Sequence, residues 1–170
     1  MAGTFERELK GILQADEKVL ERVTKSCSDI EKKNYYSILK NPFIVIRAAG
    51  SFGVDLVAVR HDLSFPIEVK ASKKKKIHFS DSEKLKLQAE KMLGLCSRAG
   101  LVPIYAYRLK NVRGDSWRVY TMNIDRTKLS QKYAKIYAIL PKIRTTKSGN
   151  RVLDWEDGKP LNEFLLIISE

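Results

Sequence analysis

The sequence predicts an α/β chain built on a mixed β-sheet flanked by helices. Three observations predict it. Apolar residues recur at helical spacing before residue 40, β-branched and aromatic runs dominate from Phe43 to Ala71, and a helical stripe after Ser80 is followed by further strand-like runs. The chain of 170 residues carries no internal repeat and no Pro/Gly/Ser-rich linker, so a single domain spanning 1–170 is expected.

In order, Phe5, Leu9, Ile12 and Leu13 mark a short first helix. A second helix is expected from about Asp16 to Leu39, ended by Asn41-Pro42 because a residue before proline is pushed out of the helical region. Phe43–Ile46 reads as a strand, and Arg47–Gly53 as turn material with two glycines. Val54–Val59 and Phe65–Ala71 read as a hairpin around His61–Ser64, followed by four lysines and a short strand at Ile77–Phe79. Ser80 and Glu83 have capping-box spacing, and Leu85, Ala89, Met92, Leu93 and Cys96 form an apolar stripe ended at Gly100. Leu101–Leu109 and Trp117–Met122 look like strands, and the stretch from Tyr133 reads as strand and loop.

Composition narrows the function. Lys plus Arg is 32 against 20 acidic residues, a net charge of +12, which favours an extended anionic partner such as nucleic acid. Ribosomal and membrane-surface proteins share such an excess, so charge alone does not separate an enzyme from a binder. No apolar run is long enough to span a bilayer, and the first residues lack a secretory pattern, so a cytoplasmic protein is expected. Cys27 and Cys96, with His61 and His78, are too few and too scattered for a disulfide framework or a zinc cluster.

The chemistry centres on Asp55 and Glu68-Val69-Lys70. Glu68 and Lys70 are two apart on one strand and share a face, while Ile67, Val69 and Ala71 take the other. A turn centred between Asp62 and Leu63 would set Lys70 opposite Asp55, and Glu68 opposite Val57. Two carboxylates and an ammonium on an apolar hairpin are costly to bury without purpose. A divalent cation such as Mg²⁺ supplies one, held by Asp55, Glu68 and the Val69 carbonyl, with Lys70 orienting water or offsetting charge on a phosphate. An exposed hairpin face with a plain salt bridge would show the same residues.

Further segments match a family in order. Gly3-Thr4-Phe5-Glu6-Arg7-Glu8-Leu9, Val45-Ile46-Arg47-Ala48-Ala49-Gly50-Ser51, Val54-Asp55-Leu56-Val57-Ala58, Ile67-Glu68-Val69-Lys70 and Ser116-Trp117-Arg118-Val119 together resemble the PD-(D/E)-x-K nuclease superfamily, and within it the archaeal Holliday junction resolvases. The resemblance implies a restriction-endonuclease-like fold and a homodimer that nicks four-way DNA junctions symmetrically with Mg²⁺ or Mn²⁺. It implies Glu6, Asp55, Glu68 and Lys70 as the catalytic set, with Glu6, Asp55 and Glu68 on the metal. Arg7, Arg47 and Ser51 would contact DNA near the scissile phosphate. Val54 stands where the superfamily motif has proline, and Glu6 lies further from Arg47 than in the family, with the 16–39 helix inserted between them.

Lys73, Lys74, Lys75 and Lys76, directly after the catalytic strand, are expected to contact phosphates, giving affinity without reading sequence. Tyr35, Tyr36, Tyr105, Tyr107 and the tryptophans are expected to pack in the core or at a dimer contact. A PD-(D/E)-x-K nuclease for another DNA structure, and a non-catalytic basic DNA-binding protein, remain alternative readings.

Overall fold

The computed structural model describes residues 3–48 and 53–170. The predicted mixed sheet with flanking helices is present. Its strands are β1 (Ile44–Arg47), β2 (Leu56–Val59), β3 (Ser64–Ser72), β5 (Ile104–Leu109), β6 (Trp117–Tyr120) and β9 (Lys159–Pro160), in the order β1-β2-β3-β5-β6-β9. β3 and β5 run parallel and the other neighbours antiparallel. A second sheet, of three strands, pairs β4 (Lys76–His78) and β7 (Arg144–Thr145) on either side of β8 (Arg151–Asp154).

Helices cover both faces. α1 (Thr4–Leu13) and α6 (Leu161–Ile168) pack against one, where Leu9, Ile12, Leu56, Ile67, Ala106, Trp117 and Phe164 form a core. α4 (Glu83–Ala99) covers the other, where Ala89, Met92 and Cys96 meet Tyr105, Tyr107 and Tyr120. Strand alternation divides the two cores: Leu56, Ile67 and Ile104 point to the α1 side, and Glu68, Lys70, Tyr105 and Tyr107 to the α4 side. The tyrosines expected in the core at 35, 105 and 107 are buried, as is Trp117.

Several expectations need correction. The stretch 16–39 is two helices, α2 (Glu17–Val23) and α3 (Asp29–Tyr36), each with its own cap. Asp16 accepts from the Lys18 and Val19 amides, and Ser28 with Glu31 forms a full capping box. Thr24 Oγ1 donates back to the Leu20 carbonyl at 2.7 Å, closing α2 before the second cap opens α3. α4 starts from Ser82, whose side chain accepts from the Leu85 amide, and not from Ser80, which lies in a 3-10 turn over Phe79–Asp81. Gly100 ends α4 at φ 71, as expected of a left-handed stop. The tail holds helix where strand and loop were expected: α5 (Gln131–Ile139), capped by Ser130, and α6. Arg47 is the last residue of β1, at the strand end.

Candidate active site

The hairpin brings Asp55, Glu68 and Lys70 together, in a register two residues from the expected one. β2 pairs with β3 as Leu56↔Ile67 and Val59↔Ser64, so the turn centres between His61 and Asp62. Read back one residue, this register sets Asp55 across from Glu68 itself. A shift of two preserves the face, so the constellation survives the correction. β2 begins at Leu56, and just before it Asp55 adds a side-chain contact to β3: Oδ2 accepts from the Val69 amide at 2.7 Å. Its backbone stays in place, with the amide donating to the Ile67 carbonyl at 3.0 Å and the carbonyl accepting from Ala48 at 2.9 Å. The aspartate is thereby fixed by backbone on both sides.

Glu68 is 3% exposed. One carboxylate oxygen accepts from Lys70 Nζ at 3.1 Å, and the other is buried with no hydrogen-bond partner among the described residues. Burial pushes the Glu68 carboxyl up to about 7; Lys70 pulls against that shift and the adjacent Asp55 carboxylate adds to it. Tyr105, the β5 neighbour of Glu68, walls this side, and its phenol is pushed up by burial and by Glu68. A buried oxygen without a donor, beside a second carboxylate, suits an oxygen-seeking cation. Two protein carboxylates would leave the remaining positions to water, which is how Mg²⁺ is commonly held.

Glu6 does not join this pair. No three acidic, histidine or cysteine side chains lie close enough to share a metal ion among the described residues. Glu6 Oε2 instead accepts from Arg47 Nη2 at 3.1 Å. Arg47 is paired with Leu56 and so sits on the α1 side of the sheet, across from the face of Glu68 and Lys70. The neighbouring Glu8 is committed elsewhere on that side, accepting from Trp117 Nε1 at 2.8 Å and Arg108 Nε at 3.2 Å. Arg7 is exposed on α1, and Ser51 lies outside the described residues.

The lysine run divides. Lys75 Nζ meets Glu156 at 2.5 Å and Lys76 Nζ meets Asp154 at 3.9 Å, whereas Lys73 and Lys74 have no ion-pair partner among the described residues. The Tyr107 hydroxyl donates to the Lys74 carbonyl, and the Lys74 amide to Ser72 Oγ at 2.9 Å, tying the run to the end of β3. The Tyr107 tether is a contact that sequence reasoning missed, since its ring alone read as core.

Comparison with known proteins decides the family. The model of the archaeal Holliday junction resolvases (Hjc) matches residues 22–147, most of the chain and both halves of the hairpin. The chain belongs to this family. It is also similar to the solved structure of Hjc from Archaeoglobus fulgidus, a Holliday junction resolvase from an archaeal hyperthermophile. That likeness has 20% identity and a TM-score of 0.48, covering 72% of this chain and 81% of the other. No curated protein matches. The family match begins inside α2, leaving α1 with Glu6 and Arg7 outside it, as it does β8, β9 and α6.

Proposed function

We propose that this family member is a Mg²⁺-dependent endodeoxyribonuclease that resolves four-way DNA junctions by paired symmetric nicks. The observation that carries the reading is the buried Glu68 with half-buried Asp55 and Lys70 beside it, and a Glu68 oxygen without a donor among the described residues. Asp55 and Glu68, with the Val69 carbonyl, would hold the cation, and Mn²⁺ would substitute for Mg²⁺. When bound, the cation would polarise the phosphodiester and lower the pKa of a bound water. Lys70 steadies Glu68 and presents its ammonium where charge develops on the phosphoryl oxygens. Arg7 and Ser51 would contact backbone near the cut, Arg47 would do so only from the edge strand β1 and the α1 side of the sheet, and Lys73–Lys76 would extend that contact outward. Glu6 holds Arg47 in this arrangement and would reach the metal only if that ion pair opened.

Symmetric nicking needs two sites, and a homodimer supplies them. Exposed apolar side chains support a contact surface: Ile44 and Ile46 on the edge strand β1, and Leu87 and Leu95 on α4. Among the described residues no helix is long and apolar enough to cross a membrane. The pair of helices at 17–36 is read as an insertion within a single nuclease domain.

The test is cleavage of a labelled synthetic four-way junction against linear duplex, with Mg²⁺ or EDTA, for wild type and Asp55→Ala. Paired nicks confined to the junction, to Mg²⁺ and to wild type are expected. Equal cutting of duplex would remove the junction specificity, and metal-independent binding without any cleavage would leave a basic DNA-binding protein.

A further inference from the structure

The segment joining α2 to α3 borders a second basic site on the opposite side of the sheet. A polar cavity of about 600 Å³ opens between the end of α2 and the β5–β6 turn. Four cationic side chains line it: Arg22, Lys25, Arg108 and Arg113. Among the described residues the one carboxylate in its lining is Glu8, already engaged by Trp117 Nε1 at 2.8 Å and Arg108 Nε at 3.2 Å, with Arg22 at 3.8 Å. Glu31 lies at the rim near Gly114 and is occupied as the partner of the Ser28 amide in the α3 cap. Lys25 and Arg113 have no carboxylate partner among the described residues, so the cavity keeps an excess of positive charge after both glutamates are counted. Ser26 Oγ, which accepts from the Gly114 amide at 2.9 Å, retains its own proton to donate.

The position of this charge matters as much as its amount. The Lys110 amide donates to the Ser72 carbonyl at 2.9 Å, so the β5–β6 turn and the Lys73–Lys74 run leave the same end of the β3–β5 pair. From Lys73 and Lys74 through Lys110 to Arg113 and Lys25, cations follow that end of the sheet from the catalytic face to the α1 face.

We propose that this cavity is a second phosphate site, which grips the backbone of a DNA duplex arm leading away from the scissile position. The assignment rests on the DNA reading above and adds a contact made by the α2–α3 segment. Arginine forks and a hydroxyl suit phosphodiester oxygens, and their spread over a cavity this large suits a sugar-phosphate chain better than a lone anion. The ordinary alternative for the same chemistry is free phosphate.

The experiment compares wild type with Arg22→Gln/Lys25→Gln/Arg113→Gln and with an equal charge change elsewhere, Arg126→Gln/Lys135→Gln/Lys147→Gln. Arg108 is left intact because it satisfies Glu8. Binding of a labelled four-way junction is measured in EDTA over a range of salt. The cavity variant is expected to flatten the log–log salt slope by about 2 to 3, and to weaken binding at ~0.1 M salt at least about tenfold. Its single-turnover cleavage rate with Mg²⁺ at saturating protein should match wild type. A slope change no larger than that of the control variant overturns the inference while leaving the nuclease reading intact. Failure of wild type to bind DNA at all overturns both. Inorganic phosphate, titrated at constant ionic strength into thermal unfolding, separates the sources. Stabilisation of wild type alone, with an unchanged junction slope, would make this a free-phosphate pocket and refute the backbone assignment. Arg113→Gln alone, in the exposed turn, is the second variant should the triple one melt early; its expected slope change is near one.

Discussion

Two buried carboxylates on either side of this sheet have opposite surroundings. Asp115, 3% exposed, accepts four hydrogen bonds: from the Tyr35 hydroxyl at 2.6 Å, the Trp117 amide at 3.1 Å, and the Asn162 amide and side chain at 2.8 and 2.7 Å. It joins α3, β6 and α6, elements distant in sequence, and every neighbour is a donor. Glu68, equally buried, has one ammonium, a second carboxylate nearby, and an oxygen with no donor among the described residues. A satisfied carboxylate holds a fold together. An unsatisfied one calls for something else to complete it, and in the function proposed above that would be a cation.

Isosteric amides break this comparison with the largest effect. Glu68→Gln removes a charge that the apo fold accommodates poorly, so thermal stability should hold or rise, while junction cleavage with Mg²⁺ should fall by roughly a thousandfold. Asp115→Asn places an NH₂ where all neighbours donate, and leaves at least one of them unpaired. It should cost about 3 kcal/mol, or about 10 °C in Tm, with cleavage per folded molecule unchanged at low temperature. Melting curves and single-turnover assays on the two variants check both halves. Loss of stability in the first, or loss of turnover without loss of stability in the second, would dissolve the distinction.

The proton on Glu68 gives the comparison a pH dependence. Its carboxyl has an ordinary value of 4.5 and is raised to about 7 in the fold, so between these values the folded chain keeps a proton that the unfolded chain has lost. Stability therefore declines as pH rises through this window, by at most about 3 kcal/mol, and the penalty is absent below it. In EDTA the Tm gap between Glu68→Gln and wild type should widen from pH 5 to pH 8, and Mg²⁺ should narrow it at the upper end. Parallel curves across that range would show that Glu68 titrates normally and is not held in a strained pair.

What could be read from the sequence follows the range of the interactions involved. The Asp55, Glu68, Lys70 face was legible although the turn was placed wrongly, because strand period tolerates an error of two residues. Gly100 was legible because a left-handed stop is local. The break within 16–39 depends on whether Thr24 turns back to Leu20 and Ser28 opens a new cap, a competition that apolar spacing does not register. α6 was hidden for the opposite reason: Leu161-Asn162-Glu163-Phe164-Leu165-Leu166-Ile167-Ile168 is apolar on nearly every side, and it takes packing against α3 and the sheet to make it a helix. The pairing of Glu6 with Arg47 spans 41 positions, and only the assembled sheet shows that it draws Glu6 away from the carboxylate pair.

The lysine run extends the same rule to cations, with the smallest expected effect. Lys75 and Lys76 already face Glu156 and Asp154, so a phosphate would have to displace a carboxylate to reach them. Lys73 and Lys74 face no such competitor among the described residues, and the Lys74 backbone is tied to Ser72 and Tyr107. In the proposed function their side chains would meet DNA from an anchored base, with only their own rotamers to order. Lys73→Gln/Lys74→Gln should reduce the salt slope of junction binding by about 2, near the full counterion release for two phosphates. Lys75→Gln/Lys76→Gln should reduce it by less than half as much, because the freed carboxylates would repel the same backbone. Equal slopes for the two pairs would mean that the surface ion pairs dissolve on binding, as exposed pairs worth under about 1 kcal/mol readily do. The division of the run would then belong to the unbound protein alone.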